Sequence, residues 1–264
     1  MIFEALREAV AGDRPVVLAT VVEGREVGAK VLLAPDADPL GSLGDPDLDR
    51  VVARDALAEL DAGRSGVRHY GPAGEARMDD VAVFIESFAP PPRMLIFGAV
   101  DFTSALVRVA KVLGYRVTVC DAREVFATTQ RFPMADEVVV DWPHRLLEEV
   151  GAGLGPRDAV CVLTHDAKFD VPAIVTALRT DVGYIGAMGS RRTSAERAAR
   201  LREEGVDEAG MARLMAPIGL DLGARTPEET AISICAEIIA TRTGHRAPSL
   251  RDADGPIHTT VPRR

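Results

Sequence analysis

The sequence has few cysteines, few aromatic residues and no long apolar run. Its 264 residues include one tryptophan and only three cysteines, Cys120, Cys161 and Cys235. The cysteines are far apart, form no CxxC pair and are odd in number, which argues against a disulfide framework. Each lies in an apolar run, so we predict that all three pack as small hydrophobic residues.

Two further absences narrow the class of protein. The longest apolar runs fall far short of the ~18 residues of a membrane span, and residues 1–10 are interrupted by charges instead of forming an apolar signal core. We therefore predict a cytoplasmic protein that does not enter a membrane. The net charge of −9 argues against a general nucleic-acid binder, while local basic clusters could still hold a small anion.

What is present fits a globular protein with a sizeable core, because hydrophobic residues make up 47% and charged residues 27% of the chain. The length suits one large or two modest domains. Ala89 is followed by three prolines, which cannot join a strand ladder and favour a stiff link, so we place a domain boundary there. The predicted parts are a domain over 1–90, a domain over 91–246 and an extended polar tail over 247–264.

The first 90 residues predict a small mixed α+β domain. Apolar spacing and turn-forming clusters give a short series of elements. In order, these are a helix over 2–10, strands over 15–22 and 27–33, a loop over 34–47, a helix over 48–60 and a strand over 81–88.

From residue 93 onward, short apolar strands alternate with helices. The predicted strands are 93–97, 116–120, 137–140, 159–164 and 182–185, and the helices between them are 103–113, 143–150 and 171–178. This alternation predicts a parallel sheet with both faces covered. The predicted fold class is therefore α/β, with a Rossmann-like parallel-sheet domain preceded by the smaller α+β domain. Ligands of such sheets bind at the carboxyl ends of the strands.

The turn after the first of these strands keeps only part of a dinucleotide-binding fingerprint. Gly98 stands where the first glycine allows a tight turn, but Val100 stands where the second lets the backbone approach a pyrophosphate. Asp101 adds negative charge at a helix start that would otherwise attract an anion. Asp121, directly after the second strand, is by spacing either the partner of a ribose hydroxyl or a strand-end turn residue.

A polar segment follows the fourth strand, at the edge where a ligand is expected. Thr164, His165 and Asp166 open the segment THDAKFD, which also contains a lysine and Asp170. These groups could line a pocket and transfer protons. The alternative is structural, with Asp170 capping a helix that begins at Val171.

The turn after the fifth strand carries the strongest local signal in the chain. Its candidate ligand-binding residues, from the segment GAMGSRRT, are Gly186, Gly189, Ser190, Arg191, Arg192 and Thr193. Glycines let the backbone approach a ligand, and the arginine pair offers bidentate contacts to an anion. Thr193 and Glu196 have the spacing of a capping box, which predicts a helix start with Ala195, Ala198 and Leu201 on its apolar face. We predict a phosphate or pterin-phosphate site, with a solvated basic turn as the alternative.

Residues 217–229, PIGLDLGARTPEE, mainly predict the start of a further helix. Thr226 is placed as N-cap, Pro227 at the first helical position and Glu229 three residues after the cap. The two glutamates would repel a phosphate, so this turn is interpreted as structural. Asp221 is retained as a candidate that faces the cleft.

Together these segments resemble the XdhC/CoxI family, accessory proteins of molybdenum hydroxylases such as xanthine and carbon monoxide dehydrogenases. The matching text, in order, is THD…D at 164–170, GxxGSRRT at 186–193, PIGLDLGARTPEETAISICAEI at 217–238 and the tail segment DADGPIH at 252–258. The leading unit resembles the family less closely, at LATVV, GAK and GSLGD. The resemblance implies that the protein binds molybdenum cofactor, helps it to acquire its terminal sulfur and delivers it to a partner enzyme.

The implied partners are molybdenum hydroxylase subunits and a cysteine desulfurase, and pairing of a Rossmann-like sheet edge across a twofold axis would give a homodimer. The sequence departs from the family after the GSLG turn, where Asp45 and Pro46 replace a common cysteine. Family histidines are replaced by Ala167 and Met215. A thiolate is a soft ligand suited to a metal such as molybdenum, so an altered ligand is expected.

Three functions remain open on the sequence alone. The first is a maturation factor that binds molybdenum cofactor, and the missing cysteine and histidines weaken it. The second is an NAD(P)-dependent oxidoreductase, suggested by the strand order and Asp121 but opposed by Val100. The third is a non-catalytic regulatory protein that kept the fold and lost the site, and the intact GSRRT segment opposes it. No catalytic residue and no metal ligand is assigned.

Overall fold

The structure is a computed structural model that describes residues 1–35, 37–75 and 78–254. It contains two compact units, Met1–Pro92 with Gly155–Arg157, and Arg93–Leu154 with the chain from Asp158 onward. Most of the predicted family tail, from residue 255, lies outside the described residues. In the described part of the chain, no helix is long and apolar enough to cross a membrane.

The first unit is built on an antiparallel sheet with the strand order β3-β2-β1-β5-β4. Its elements are α1 (Ile2–Ala11), β1 (Val16–Glu23), β2 (Lys30–Leu33), β3 (Leu40–Ser42), α2 (Pro46–Ala62), β4 (Gly66–Tyr70) and β5 (Val81–Phe88). The predicted α+β composition is confirmed. Helix α2 buries Leu48, Val52, Ala56 and Leu60, which recur every four residues and so form one apolar stripe in the core with the sheet.

Asp45, which follows the GSLG segment, has a structural role at the start of α2. Its carboxylate accepts hydrogen bonds from the backbone N–H groups of Asp47 at 2.9 Å and Leu48 at 3.0 Å. It is therefore an N-cap, which satisfies donors that the helix itself cannot pair.

The second unit is a parallel sheet with the strand order β11-β10-β9-β6-β7-β8. Its strands are β6 (Arg93–Phe97), β7 (Arg116–Cys120), β8 (Glu137–Val139), β9 (Ala159–Val162), β10 (Tyr184–Ala187) and β11 (Leu214–Met215). Its helices are α3 (Asp101–Val112), α4 (Pro143–Val150), α5 (Ala167–Leu178), α6 (Arg191–Glu203), α7 (Glu208–Arg213) and α8 (Pro227–Thr243).

Counted from β6 as the first strand, this order is 3-2-1-4-5-6, the order of dinucleotide-binding Rossmann domains. The predicted Rossmann-like α/β class is confirmed. The strand order reverses between β6 and β9, so the loops after these two strands flank the crevice where such sheets bind ligands.

Alternate residues of the strands pack into two separate hydrophobic cores, one on each face of the sheet. Met94 and Ile96 pack with α3 and α8, whereas Leu95 and Phe97 pack with α4, α5 and α6. This follows from the two-residue repeat of a strand and explains the continuous apolar runs in the sequence. Helix α8 begins with the predicted capping box of Thr226 and Glu229 and with proline at its first position.

All three cysteines are free and buried in these cores, as predicted. Burial raises the pKa of Cys120 and of Cys235 to about 12. Burial also raises the pKa of Cys161, which is completely enclosed, well above its usual value. The thiols therefore remain protonated near neutral pH and behave as apolar groups.

Candidate functional site

The ends of β6 and β9 approach closely because residue 98 is glycine. Gly98 has a φ of 111°, and a Cβ atom built there would lie 2.7 Å from Thr164 Cγ2 and 3.0 Å from the Thr164 backbone nitrogen. A side chain would therefore force the two strand ends apart. The structure thus brings together two residues predicted for the site, Gly98 and Thr164, at the point where the strand order reverses.

The turn after β6 (the first turn, residues 98–100) uses its backbone N–H groups within the protein. The acceptors are Cys120 O for Gly98 at 2.9 Å, an Asp121 carboxylate oxygen for Ala99 at 2.8 Å and the Thr103 hydroxyl for Val100 at 3.3 Å. The carbonyl of Ala99 in turn accepts a hydrogen bond from Arg131 Nη1 at 3.2 Å. A phosphate at this turn would have to displace these internal acceptors.

Asp121 anchors the first turn, and its carboxylate accepts four hydrogen bonds. One oxygen accepts from the backbone N–H and from Nε of Arg123, at 3.0 and 2.9 Å. The other accepts from Ala99 N–H and Arg123 Nη2, both at 2.8 Å. A carboxylate has about four acceptor positions, so none is left for a ribose hydroxyl in this conformation.

Asp121 also predicts a pH dependence of stability. Burial alone would raise its pKa, but the hydrogen bonds from Arg123 and Ala99 outweigh burial and lower the pKa below its usual value. The carboxylate therefore stabilises the fold above the pKa of the unfolded chain, and this contribution is lost as the pH falls through the lower folded-state pKa. We expect Asp121→Asn to lower the free energy of unfolding by about 1–2 kcal/mol at pH 7, discounted for the half-exposed Arg123.

Urea unfolding at pH 7 and at pH 3.5 measures this effect. The difference between wild type and Asp121→Asn should shrink at the lower pH. Asp101→Asn is the matched control, because the Asp101 side chain is 94% exposed. A difference of equal size at both pH values would contradict the assignment.

A buried ion pair joins α5 and α6, the helices that follow β9 and β10. Asp170 accepts a hydrogen bond from the Thr164 hydroxyl and another from Arg197 Nη2, the latter at 2.8 Å. Arg197 Nη2 also donates to Met188 O at 2.8 Å. The Asp170 and Arg197 side chains are only 3% and 4% exposed. Burial raises the pKa of Asp170 above its usual value, although Thr164 and Arg197 oppose the shift.

The predicted start of α5 is wrong by one turn. The helix begins at Ala167, and its N-cap is Asp166, whose carboxylate accepts from Lys168 N–H at 3.1 Å. Asp170 lies four residues after this cap and faces the interior, so its role is the ion pair. His165 and Asp166 are exposed, whereas Thr164 is buried.

The predicted start and face of α6 also need correction. The N-cap is Ser190, whose hydroxyl accepts from Thr193 N–H at 3.1 Å, so the helix begins at Arg191 and not after Thr193. Its buried residues are Arg197 and Leu201, whereas Ala195 is exposed. An arginine four residues before a buried leucine lies on the same stripe, and that spacing could have indicated a buried ion pair.

The two glycines near this turn differ in role. A Cβ atom at Gly186 would lie 2.5 Å from Ile218 Cδ1, so this glycine makes room for the segment after β11. Gly189 lies in the segment that joins β10 to α6 (the β10–α6 turn, residues 188–192, which includes the first two residues of α6). A Cβ atom there would lie 3.2 Å from Thr193 Cβ and 3.7 Å from Arg197 Nη1.

The β10–α6 turn has open hydrogen-bond donors. The backbone N–H groups of residues 189–192 have no acceptor among the described residues. In the described ranges, the Nη1 atom of Arg197 is also buried and has no hydrogen-bond partner. Arg191 and Arg192 are exposed at the first turn of α6, and Arg192 lies 3.8 Å from Glu196. Unpaired N–H groups at a helix start, with cationic side chains beside them, can bind an anion.

In the part of the chain that the structure describes, Asp221 forms no hydrogen bond with the β10–α6 turn. It is exposed in the segment after β11, which is fixed by hydrogen bonds from Ile218 N–H to Ala187 O at 3.1 Å and from Gly219 N–H to Glu237 at 2.8 Å. Among the described residues, no ion pair joins Asp221 to the β10–α6 turn either. The same described ranges contain no group of three or more histidine, cysteine or acidic side chains placed to hold a metal ion.

The chain is similar in sequence to several bacterial proteins. A probable xanthine dehydrogenase subunit of Bacillus subtilis (strain 168) is 35% identical over 160 residues, covering 61% of this chain and 46% of that protein. YqeB of Escherichia coli (strain K12), described as uncharacterized, is 28% identical over 244 residues, covering 86% and 44%. The molybdenum cofactor insertion chaperone PaoD of Escherichia coli (strain K12) is 26% identical over 159 residues, covering 60% and 43%. The chain thus spans less than half the length of each of these relatives.

A solved structure and two family models complete the comparison. The crystal structure of a Bacillus halodurans protein described as a xanthine dehydrogenase shares the fold, with a TM-score of 0.55 at 24% identity, over 93% of this chain and 97% of that chain. The family model described as XdhC and CoxI family matches residues 9–71. The model described as XdhC Rossmann domain matches residues 94–238, which are more than half of the sequence. The resemblance predicted from the motifs is therefore confirmed, and the chain belongs to the XdhC and CoxI family.

Proposed function

We propose that this protein is a maturation factor for a molybdenum hydroxylase of the xanthine or carbon monoxide dehydrogenase type, which binds molybdenum cofactor and delivers it to that enzyme. Family membership supports the class of function, because the relatives include a protein named as a molybdenum cofactor insertion chaperone. The observation that carries the proposal is the open β10–α6 turn, where four successive N–H groups lack an acceptor in the described chain.

The contrast with the first turn supports this position for the ligand. The N–H groups of residues 98–100 are paired internally, and Asp101 places a carboxylate at the start of α3. The β10–α6 turn instead has the N-terminal end of a 13-residue helix beside Arg191 and Arg192. The phosphate of molybdopterin is an anion of the kind that such a turn binds.

The residues fit the phosphate end of the cofactor better than the metal end. Buried Arg197 Nη1 and the open N–H groups are unpaired donors that an anion would satisfy. A thiolate for molybdenum is lacking, because Cys120, Cys161 and Cys235 are buried and protonated. When bound, the cofactor would supply redox-active molybdenum for the partner enzyme. In this proposal the protein holds the cofactor mainly through its phosphate.

The alternative functions receive less support from the contacts. An NAD(P)-dependent oxidoreductase would use the first turn and the Asp121 carboxylate, and both are occupied by internal hydrogen bonds. A regulatory protein that had lost its site does not account for the buried, unpaired Arg197 Nη1 beside the β10–α6 turn. The proposal includes molybdenum hydroxylase subunits and a cysteine desulfurase as partners, a homodimeric state and a cytoplasmic location.

Calorimetry with molybdopterin tests the proposal. The double variant Arg191→Ala/Arg192→Ala is expected to bind at least about tenfold more weakly than wild type, because two charged contacts to the phosphate are lost. Arg200→Ala/Arg202→Ala is the matched control, since it removes the same charge from the last turn of the same helix. Equal affinity of wild type and the first variant would refute this position for the ligand. Activation of cofactor-free hydroxylase by the loaded protein then tests delivery.

A further inference from the structure

The Arg197 guanidinium is held on one side and left unpaired on the other. Nη2 donates to Asp170 and to Met188 O, each at 2.8 Å. Nη1 is buried and has no partner among the described residues, although the side chain is only 4% exposed. A buried donor without an acceptor is rare in folded proteins because it has lost its water without gaining a hydrogen bond. Nη1 is therefore a candidate for pairing with a ligand.

The absence of a side chain at residue 189 leaves space next to this donor. A Cβ atom there would lie 3.7 Å from Arg197 Nη1, so the volume that glycine leaves open (the Gly189 space) adjoins the unpaired nitrogen. The Thr193 side chain bounds it at 3.2 Å. The open N–H groups of residues 189–192 belong to the same turn.

We propose that the β10–α6 turn binds a phosphomonoester, with one phosphate oxygen in the Gly189 space accepting a hydrogen bond from Arg197 Nη1. The other oxygens accept from the backbone N–H groups, and Arg191 adds charge from the exposed side. This rests on the proposed function for the position of the ligand, and it adds the chemical class and the residue that selects it.

The donor set favours a monoester over a diester. A monoester presents three terminal oxygens and about two negative charges near neutral pH, whereas each phosphorus of a diester or internal pyrophosphate presents two free oxygens and one charge. Asp170 neutralises much of the Arg197 charge, and Glu196 lies near Arg192. The site therefore selects mainly by the number of donors converging on one group, with Arg191 as the outer cation.

Asp170 and Thr164 act as positioning residues in this arrangement. Thr164 donates to Asp170, and Asp170 accepts from Arg197 Nη2. The guanidinium is planar and rigid, so fixing Nη2 also fixes Nη1 beside the Gly189 space. The end of β9 thereby determines the geometry of the anion site after β10.

Phenyl phosphate and its matched diester, methyl phenyl phosphate, test the proposal on the full chain. Affinity is measured by calorimetry, and contact is located by amide chemical shifts of Gly189 and Ser190. Wild type should bind the monoester at least about tenfold more tightly than the diester. Arg197→Lys keeps the charge beside Asp170 but deletes the second amino group, so it should lose most of this preference. Arg200→Lys, an exposed arginine on the same helix, should match wild type.

A second variant keeps the test decisive if Arg197→Lys does not fold. Gly189→Ala fills the Gly189 space while it leaves the Asp170–Arg197 pair in place, and it should weaken phenyl phosphate binding to a similar extent. Gly205→Ala is its control, because Gly205 also has a positive φ, of 85°, and has open space around it. Unchanged monoester affinity in a folded Arg197→Lys or Gly189→Ala protein would overturn the proposal. Shift changes confined to other residues would do the same.

Molybdopterin and AMP, both monoesters, separate this inference from the proposed function. Phenyl phosphate and AMP should both bind wild type and bind Arg197→Lys more weakly. If they do and molybdopterin does not bind, the proposed function fails and the phosphomonoester site stands. If molybdopterin binds wild type and Arg197→Lys equally, the phosphomonoester site fails and the proposed function stands.

Discussion

Replacing Asp170 with alanine is expected to lower the free energy of unfolding by about 3–5 kcal/mol, because it leaves a buried charge without a partner. Arg197 is only 4% exposed and would retain its guanidinium charge with Met188 O as its remaining acceptor. The buried Thr164 hydroxyl would also lose its acceptor. Urea unfolding of wild type and Asp170→Ala at pH 7 measures the difference.

Two further variants separate the ion pair from the loss of volume. Asp170→Leu combined with Arg197→Met removes both charges, and it should recover most of the lost stability because apolar replacements of buried pairs are often neutral or stabilising. Glu196→Ala, on the exposed side of α6, should change stability by no more than about 0.5 kcal/mol. A loss of less than about 1 kcal/mol in Asp170→Ala would show that the pair is not buried as described.

Gly98→Ala is expected to lower the free energy of unfolding by about 2–5 kcal/mol, from backbone strain and from overpacking together. The residue has a φ of 111°, a conformation that alanine rarely adopts. Its new methyl group would also lie 3.0 Å from the Thr164 backbone nitrogen, which cannot move without shifting the end of β9. The measurement is thermal or urea unfolding, with circular dichroism to show that both proteins fold.

Gly114→Ala isolates the strain from the overpacking. Gly114 also has a positive φ, of 80°, but a Cβ atom there would meet nothing within 4 Å. Its substitution should therefore cost about 1–2 kcal/mol from the backbone alone. Equal losses at the two positions would mean that the approach of β6 to β9 does not depend on the missing side chain.

The sequence predicted the strands of the parallel sheet well because they are buried on both faces. Continuous apolar runs such as 93–97 and 116–120, bounded by turn residues, match β6 and β7 in full. The strands that were missed lack this signal. Strand β4 buries only Tyr70, strand β3 is three residues long, and β11 is two residues long at the edge of its sheet.

The candidate site was predictable in position but less so in chemistry. Gly98, Thr164 and Ser190 lie at strand ends, which local sequence locates. Arg131 donates to the Ala99 carbonyl in the first turn from 32 residues further along the chain, and no local pattern indicates such a contact. The start of α6 was misplaced because Ser190 and Thr193 are both good capping residues, and only the backbone decides between them.

The burial of the cysteines has a consequence for sulfur transfer. A persulfide carrier needs a thiolate that a donor protein can reach, but burial raises the pKa of Cys120 and Cys235 to about 12, and Cys161 is more enclosed still. None of these three thiols can accept sulfur without opening the core. If the cofactor is sulfurated while this protein holds it, these three cysteines would not relay the sulfur, so the sulfur donor would have to dock on the protein while the cofactor is bound.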